Sequence, residues 1–171
     1  MSEICLGLMA PGDLSFLREL RSNPLVADWL FGPTRPITPA EQEMWYNRVM
    51  DDSSHQVWIA KTTMERVGYG QVYGVDHSHY SAEIGVAVLP LFYKQGYGGQ
   101  IVLKLLRWCF EDVGLNSVVA KVFTDNSAAV MMFSRCGFTV CGVMPEAIFK
   151  GGEYRDIYVM TALRREYDKA T

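Results

Sequence analysis

Three glycines within four residues stand directly before an amphipathic segment near the middle of the chain. They are Gly96, Gly98 and Gly99 in the stretch FYKQGYGGQIVLKLL, residues 92–106. From Gln100 onward apolar residues recur at helical spacing, which predicts a helix that starts at the glycines. The first turn of a helix exposes unpaired N–H groups, and glycines let an anion approach them. The stretch therefore predicts either a phosphate-binding loop or an ordinary tight turn.

The segments on both sides of this loop predict an α/β fold with a mixed sheet. Three successive strand-like segments precede the loop, and the third ends at Pro90. Two helices are expected earlier in the chain, the first capped by Asp13 and the second by a capping box of Thr38 and Glu41. After the loop helix we expect a further strand and a second helix that ends at Gly137. The expected strands are EICLGLMA, QVWIAKT, RVGYGQVYGV, SAEIGVAVLP, NSVVAKVFT and a closing pair in the tail.

Charge and hydropathy exclude several classes of function. A net charge of −3 argues against a general nucleic-acid binder, which needs a basic face. No apolar run approaches the ~20 residues of a membrane span, and the N-terminal residues do not resemble a signal peptide. The four cysteines form no C-x-x-C pair, which favours buried thiols in a reducing compartment. We therefore expect one cytoplasmic domain over residues 1–171, without membrane or nucleic-acid partners.

Two familiar phosphate-binding patterns do not fit the loop. The dinucleotide fingerprint G-x-G-x-x-G has glycines at Gly96 and Gly98, but its third position is Ile101. The chain also contains no Gly-Lys-Ser/Thr, so it has no Walker loop. Both mismatches argue against the alternative interpretation, in which the loop belongs to a nucleotide-binding module.

Two spaced blocks of residues resemble those of the GNAT superfamily of acyl-CoA-dependent N-acetyltransferases. That family carries Arg/Gln-x-x-Gly-x-Gly/Ala, and the chain reads YKQGYG over residues 93–98, which departs at the first position. Its second block, Asn-x-x-Ala-x-x-x-Tyr-x-x-x-Gly-Phe, is matched by Asn126, Ala129, Gly137 and Phe138, with Phe133 in place of the tyrosine. The strand before the loop and the tail GGEYRDIYVMTAL look most like the spermidine and ribosomal-protein N-terminal acetyltransferase branch.

The resemblance implies a fold, a reaction and an acetyl-CoA site. The fold is a mixed, mostly antiparallel twisted sheet of about six or seven strands flanked by helices, splayed where acyl-CoA lies. The reaction is direct transfer of acetyl from acetyl-CoA to a primary amine, without a metal. Homodimers are common among the proteins that the chain resembles, so a homodimer is an expected assembly. The implied acetyl-CoA contacts are Val86, Ala87, Val88, Lys94, Gln95, Gly96, Tyr97, Gly98, Gly99, Asn126, Ala129 and Phe133. The backbone N–H of Val88 would face the thioester oxygen.

Glu83 is the candidate general base that the resemblance suggests. Strand alternation places it on one face with Gly85 and Ala87, whose small side chains would leave room for a substrate. The alternatives are that Glu83 is a solvated acid near a strand end, or that waters remove the proton.

Phe133 is the main departure from the family pattern, because phenylalanine cannot donate a proton to the leaving thiolate. The thiolate could leave unassisted, or another donor such as Ser134, Tyr97 or Cys136 could replace the tyrosine. The remaining alternative is a sensor that binds acyl-CoA without catalysis.

Four residues are candidates for the acceptor site, which this family shapes from its first helices and its closing strand. Asp28 or Glu41 could hold an ammonium group, although a helix cap already explains Glu41. Trp29 lies beside Asp28, and Tyr158 could line the site or simply pack. The acceptor could be a polyamine, an amino sugar or a peptide N-terminus.

Overall fold

The structure is a computed structural model, and it describes residues 2–170. In these residues seven strands form one sheet in the order β1-β2-β3-β4-β5-β7-β6, and β4–β5 is the parallel pair among antiparallel ones. The strands are β1 (Cys5–Leu8), β2 (Gln56–Lys61), β3 (Arg66–Asp76), β4 (Ser81–Val88), β5 (Ser117–Phe123), β6 (Thr139–Lys150) and β7 (Glu153–Leu163). The helices are α1 (Leu14–Ser22), α2 (Pro24–Ala27), α3 (Pro39–Asp51), α4 (Tyr97–Arg107), α5 (Ser127–Arg135) and α6 (Arg164–Ala170). The expected mixed, mostly antiparallel sheet is confirmed.

The parallel pair opens into a gap, as expected. β4 and β5 are paired at three positions, of which the last is Glu83 with Val119. Beyond them β4 continues to Val88 beside β3, and β5 continues to Phe123 beside β7. The two strands therefore separate at Glu83 and leave a V-shaped gap in the middle of the sheet.

The sheet carries a separate apolar core on each face. On one face Ile84, Leu105 and Phe110 belong to the core that α4 and α5 cover. On the other face Leu17 and Tyr69 belong to the core beneath α1 and α3. Burial of apolar area drives both layers together, so the gap lies between two rigid packed layers.

Capping explains where α3 begins, but not where α1 begins. The Thr38 hydroxyl accepts from the Glu41 amide, and the Glu41 carboxylate accepts from the Thr38 amide, which confirms the capping box. Asp13 does not cap α1, contrary to expectation. Its carboxylate is 3 % exposed and instead binds the Ala10 amide and, at 2.9 Å, the Arg66 guanidinium, because a buried carboxylate requires a cation.

No helix among residues 2–170 has both the length and the apolar character of a membrane span.

Candidate active site

The glycine loop turns sharply into α4. Gly96 is the residue before the helix and has φ +78°, and Lys94 also lies in the left-handed region with φ +60°. Such turns point neighbouring N–H groups into a shared concavity that suits an anion. The amides of Tyr97, Gly98 and Gly99 open the helix, where no preceding turn offers them a carbonyl. The local backbone therefore fits a phosphate group.

Close packing supplies a second reason for glycine at the helix start. A Cβ at Gly98 would lie 2.6 Å from Sδ of Met132 on α5 and 3.8 Å from Val88 on β4. Gly99 is also close to α5, since its carbonyl accepts from the Cys136 thiol at 3.7 Å. The start of α4 thus lies directly against the two elements that flank the gap.

The side chains of Tyr97 and Gln95 are engaged in contacts within the protein, so mainly backbone groups of the loop are available to bind a phosphate. Tyr97 is buried against Phe92, with ring centroids 5.8 Å apart, and the Gln95 amide donates to the Leu91 carbonyl at 3.0 Å. Lys94 is exposed. We infer that Lys94 could supply positive charge at the rim, while residues 95–99 offer N–H groups.

The exposed edge of β4 faces the gap through alternate backbone groups. The Leu89 amide donates to Val67 on β3 at 2.9 Å, so it points away from the gap. Successive amides of an extended strand alternate in direction. The N–H groups of Val88 and Val86 therefore point into the gap, as the expected role of Val88 requires.

The start of α5 is held by its own cap. The Asn126 side-chain oxygen accepts from the Ala129 amide at 3.1 Å, so these two residues bind each other. Phe133, one of the expected acetyl-CoA contacts, is 4 % exposed and packs edge-on against Phe138 with ring centroids 5.1 Å apart. Burial raises the pKa of the Cys136 thiol, which makes this thiol a poor acid.

Glu83 lies at the apex of the gap with both carboxylate oxygens engaged. Its Oε1 accepts from the Tyr73 hydroxyl, and its Oε2 lies 2.8 Å from Nζ of Lys121 on β5. Burial, followed by the hydrogen bond to Glu83, raises the pKa of Tyr73, so this tyrosine remains a donor. Glu83 is therefore not the solvated acid considered above, although each of its oxygens keeps a second lone pair that could accept a proton.

Two residues that contact Glu83, Tyr73 and Lys121, were not among the predicted site residues. A signal for Lys121 existed, because it is the only charged residue in the otherwise apolar segment SVVAKVF. Nothing in the sequence places Tyr73 opposite Glu83, since that contact depends on the β3–β4 register.

The room expected beside Glu83 is partly filled. A Cβ at Gly85 would lie 3.0 Å from the Gln71 amide nitrogen, and Ala87 is buried beneath α1 and α3. The Gln71 oxygen lies 3.2 Å from Nε2 of His55, whose pKa is lowered by burial. Glycine at 85 thus accommodates Gln71, and any room for a substrate lies further toward β5.

Aromatic rings and one arginine close the far end of β5. The Phe123 ring contacts Phe31 and Trp29, with centroids 5.0 Å and 6.5 Å away. The Arg155 guanidinium lies 4.0 Å from the centre of the Phe123 ring and 5.0 Å from that of Trp29. It binds both oxygens of Asp125 at 2.8 and 2.9 Å. These contacts fix the Trp29 loop beside the gap.

Asp28 and a buried lysine fix the same loop. The Asp28 carboxylate lies 3.6 Å from the Arg155 guanidinium, so it already faces a cation. Lys150 is 5 % exposed and donates to the carbonyls of Leu30 and Gly32. Asp28 and Trp29 therefore lie near the gap, as expected, but Asp28 does not lie there as a free carboxylate.

Glu41 and Tyr158 do not join this group of residues. Arg35 and Thr38 both bind Glu41, and the hydrogen bonds from them lower its pKa to about 2. Tyr158 packs against the core on the side of α4 and α5, in register with Val122. The contacts of Glu41 are therefore those of a helix cap, and the contacts of Tyr158 are those of a packed core residue.

A cavity of about 680 Å³ lies elsewhere, between β1 and α4. Two of its cations are already paired, Lys61 with Asp13 at 3.8 Å and Lys104 with Glu3 at 3.4 Å. Its lining includes neither Glu83 nor any residue of the glycine loop, so the open gap in the sheet remains the candidate site. Within residues 2–170 no three His, Cys, Asp or Glu side chains form a group that could hold a metal ion.

The fold and the gap define an acyl-CoA N-acyltransferase. The family model for the acetyltransferase (GNAT) domain matches residues 3–139 of the sequence. The chain therefore belongs to the GNAT acetyltransferase family. Acetyl-CoA is its cosubstrate.

Several relatives and solved structures are similar to the chain over nearly its whole length. Spermidine N(1)-acetyltransferase of Vibrio cholerae is 22% identical over 97% of this chain and 96% of its own. L-amino acid N-acetyltransferase of Escherichia coli is 22% identical over 96% of this chain and 100% of its own. The crystal structure of spermidine N-acetyltransferase from Vibrio cholerae with CoA and spermine has a TM-score of 0.91 at 23% identity, covering 96% of this chain and 98% of that one. At this identity the structural likeness shows the fold.

Proposed function

We propose that the chain transfers the acetyl group of acetyl-CoA to a primary amine by direct attack in a ternary complex. The observation that carries this proposal is the gap between β4 and β5, which opens at Glu83 and has the glycine start of α4 beside it. The gap gives acyl-CoA a strand edge and an anion-binding loop on one wall. It also exposes Glu83 toward the α1 and α3 side, where an acceptor can enter.

The chemistry requires a neutral amine, because an ordinary alkylamine has a pKa of about 10.4. The amine nitrogen bonds to the acetyl carbon, the carbon–sulfur bond breaks, and CoA leaves as its thiolate. The Val88 N–H would stabilise the charge that develops on the acetyl oxygen. Glu83 would take the proton from the attacking nitrogen on a lone pair that Tyr73 and Lys121 leave free. No acyl-enzyme is part of this route.

The leaving thiolate departs unassisted in this proposal. Phe133 offers no proton, and burial raises the pKa of the nearby Cys136 thiol. A thiolate is a stable leaving group in water, since thiol pKa values are ordinarily near 8.5. Phe133 is also the observation that favours the alternative function, an acyl-CoA-binding sensor without catalysis.

The relatives suggest two acceptor classes. Similarity to a spermidine acetyltransferase makes a polyamine one candidate acceptor, and similarity to an L-amino acid acetyltransferase makes an amino acid another. Amino sugars and peptide N-termini complete the range. We also propose a cytoplasmic location, which the four free cysteines support.

A homodimer is part of the proposal. The edge strand β6 exposes Val140, Val143 and Met144, each by about half of its surface. Exposed apolar edge strands commonly pair with another chain. Sedimentation equilibrium would test this point.

The proposed function is tested by acetyl-CoA-dependent thiol release with a panel of amines. The panel contains spermidine, an amino sugar, a neutral amino acid and peptides with a free N-terminus or lysine. Turnover with one class, with its acetylated product identified by mass, supports the enzyme. Acetyl-CoA binding without turnover on any amine supports the sensor, and absence of binding contradicts both.

A further inference from the structure

Lys121 places a protein ammonium group at the position where a cationic acceptor would meet Glu83. Its Nζ lies 2.8 Å from Glu83 Oε2. Lys121 follows Val119, the β5 partner of Glu83, by two residues and so lies on the same face of the strand. We propose that Lys121 is a specificity-determining residue that disfavours acceptors with a second ammonium group near the reacting amine. The acceptor class that follows is an amine with a neutral or anionic group at that position. This inference rests on the proposed acetyl transfer.

The carboxylates around the candidate acceptor side are already neutralised by protein cations. Lys121 pairs with Glu83, and Arg155 pairs with Asp125 and lies 3.6 Å from Asp28. A polyamine requires carboxylates that are free to bind its spare ammonium groups. At Glu83, whose side chain is 17% exposed, such an ammonium group would compete with Lys121. Asp28 and Asp125 are more than half exposed, so their pairs with Arg155 weaken such binding only slightly.

Exposure determines which member of the Glu83–Lys121 pair an acceptor meets. The Lys121 side chain is 36% exposed and that of Glu83 is 17% exposed. Tyr73 covers the other oxygen of Glu83. An approaching molecule therefore meets the ammonium more readily than the carboxylate, and like charges brought together at a site are strongly disfavoured.

The same ammonium helps the reaction of an amine that carries no second cation. A nearby positive charge disfavours the charged form of another amine, so Lys121 lowers the pKa of the bound acceptor. A larger fraction of that acceptor is then neutral and able to attack. A second ammonium on the acceptor gains nothing from this effect and adds repulsion.

Three probes with four carbon atoms each separate the charges. Butylamine, 1,4-diaminobutane and 4-aminobutanoate carry a methyl, an ammonium and a carboxylate at the far end. We would measure kcat/KM for each, and binding of each to the CoA-loaded enzyme by calorimetry. The native chain should bind and acetylate the diamine worst of the three, by about tenfold.

The variant Lys121→Met removes the charge and keeps most of the length of the side chain. It should raise affinity and kcat/KM for 1,4-diaminobutane by about tenfold relative to butylamine, because Glu83 becomes free for an ammonium. Lys121→Arg keeps the charge and should retain the native order. Lys104 lies on α4 and pairs with Glu3. Lys104→Met removes a charge away from the gap and should change none of the ratios.

The two readouts distinguish failure of the inference from failure of the proposed function. A shift in binding preference without turnover on any amine supports the role of Lys121 and contradicts acetyl transfer. Turnover with unchanged ratios in Lys121→Met overturns the inference and leaves acetyl transfer intact. A native preference for the diamine overturns the inference, and so does a Lys121→Met variant that gains no diamine binding.

Discussion

The Nζ atom of Lys121 lies 2.8 Å from Oε2 of Glu83, at the point where β4 and β5 separate. The ion pair therefore joins the two strands at the apex of the gap, and Tyr73 holds the other oxygen of the same carboxylate. A base in this position is well oriented, since two partners fix its rotamer. Each carboxylate oxygen keeps a second lone pair, so Glu83 can accept a proton without losing either partner.

Replacement of Glu83 by glutamine tests its role as the base. We expect Glu83→Gln to lower kcat by about 100-fold, because a positioned base typically contributes at least that much. The rise of the rate at alkaline pH should flatten, while affinity for acetyl-CoA stays unchanged. Glu65→Gln, at an exposed position in the β2–β3 turn, is the matched control. An unaltered pH–rate profile would remove Glu83 from the mechanism.

A side chain at Gly98 tests the glycine loop. Its Cβ would lie 2.6 Å from Met132 Sδ and 3.8 Å from Val88, within the narrow space between α4, α5 and β4. We expect Gly98→Val to weaken CoA binding at least about tenfold, because a 1.4 kcal/mol loss already has that effect. Calorimetric titration with CoA measures it.

Gly142→Val is the control for that titration, since nothing lies within 4 Å of its Cβ. The flexible end of Met132 can move aside, so Gly98→Val should still fold, which circular dichroism checks. A folded Gly98→Val variant with native CoA affinity would contradict the proposal that the glycine loop binds the pyrophosphate.

The sequence predicted the order of strands and helices because apolar periodicity and turn residues are local signals. Gly96, the Thr38 capping box and the end of β4 near Pro90 all lie where the pattern placed them. Asp13 was assigned wrongly because its cation, Arg66, lies 53 positions away and reaches it only through chain folding. The short helix α2 and the terminal helix α6 carry too few residues for a clear period.

The candidate site was predictable only as far as its backbone. The resemblance pointed to Glu83 and the loop, but the partners of Glu83 come from β3 and β5. Such contacts depend on strand register, which one sequence does not reveal. The same limit applies to Asp28, whose nearby cation Arg155 lies 127 positions away.

A tyrosine at position 133 tests how the thiolate leaves. Unassisted departure predicts that Phe133→Tyr changes kcat by less than about threefold, whereas a missing acid typically costs 10² or more. Phe133 is buried against Phe138, so the added hydroxyl should also destabilise the fold by about 1–3 kcal/mol if it finds no partner. Steady-state rates and urea unfolding measure the two effects. A large gain in kcat would contradict unassisted departure.

Acid titration tests the assignment of Glu41 to a cap. Hydrogen bonds, first from Arg35 and then from Thr38, lower its pKa from 4.5 to about 2. A carboxyl with a lowered pKa stabilises the folded state above its unfolded pKa, and this contribution is lost as pH falls through the folded value. Glu41→Gln should therefore be less stable than the native chain at pH 7, and the difference should shrink from about pH 4.5 toward pH 2.

Urea unfolding at several pH values measures that difference, with Glu43→Gln, an exposed position on the same helix, as the control. The cap assignment also predicts little change in amine KM for Glu41→Gln. A loss of amine affinity with unchanged stability would return Glu41 to the acceptor site.

Rapid mixing of the enzyme with acetyl-CoA, with and without an acceptor amine, tests the central claim most directly. Direct attack in a ternary complex predicts no thiol release without the amine, and one free thiol for each acetylated amine when it is present. A stoichiometric burst of thiol without the amine would instead reveal an acyl-enzyme and contradict the mechanism. Bound acetyl-CoA that releases no thiol with any amine would contradict catalysis itself.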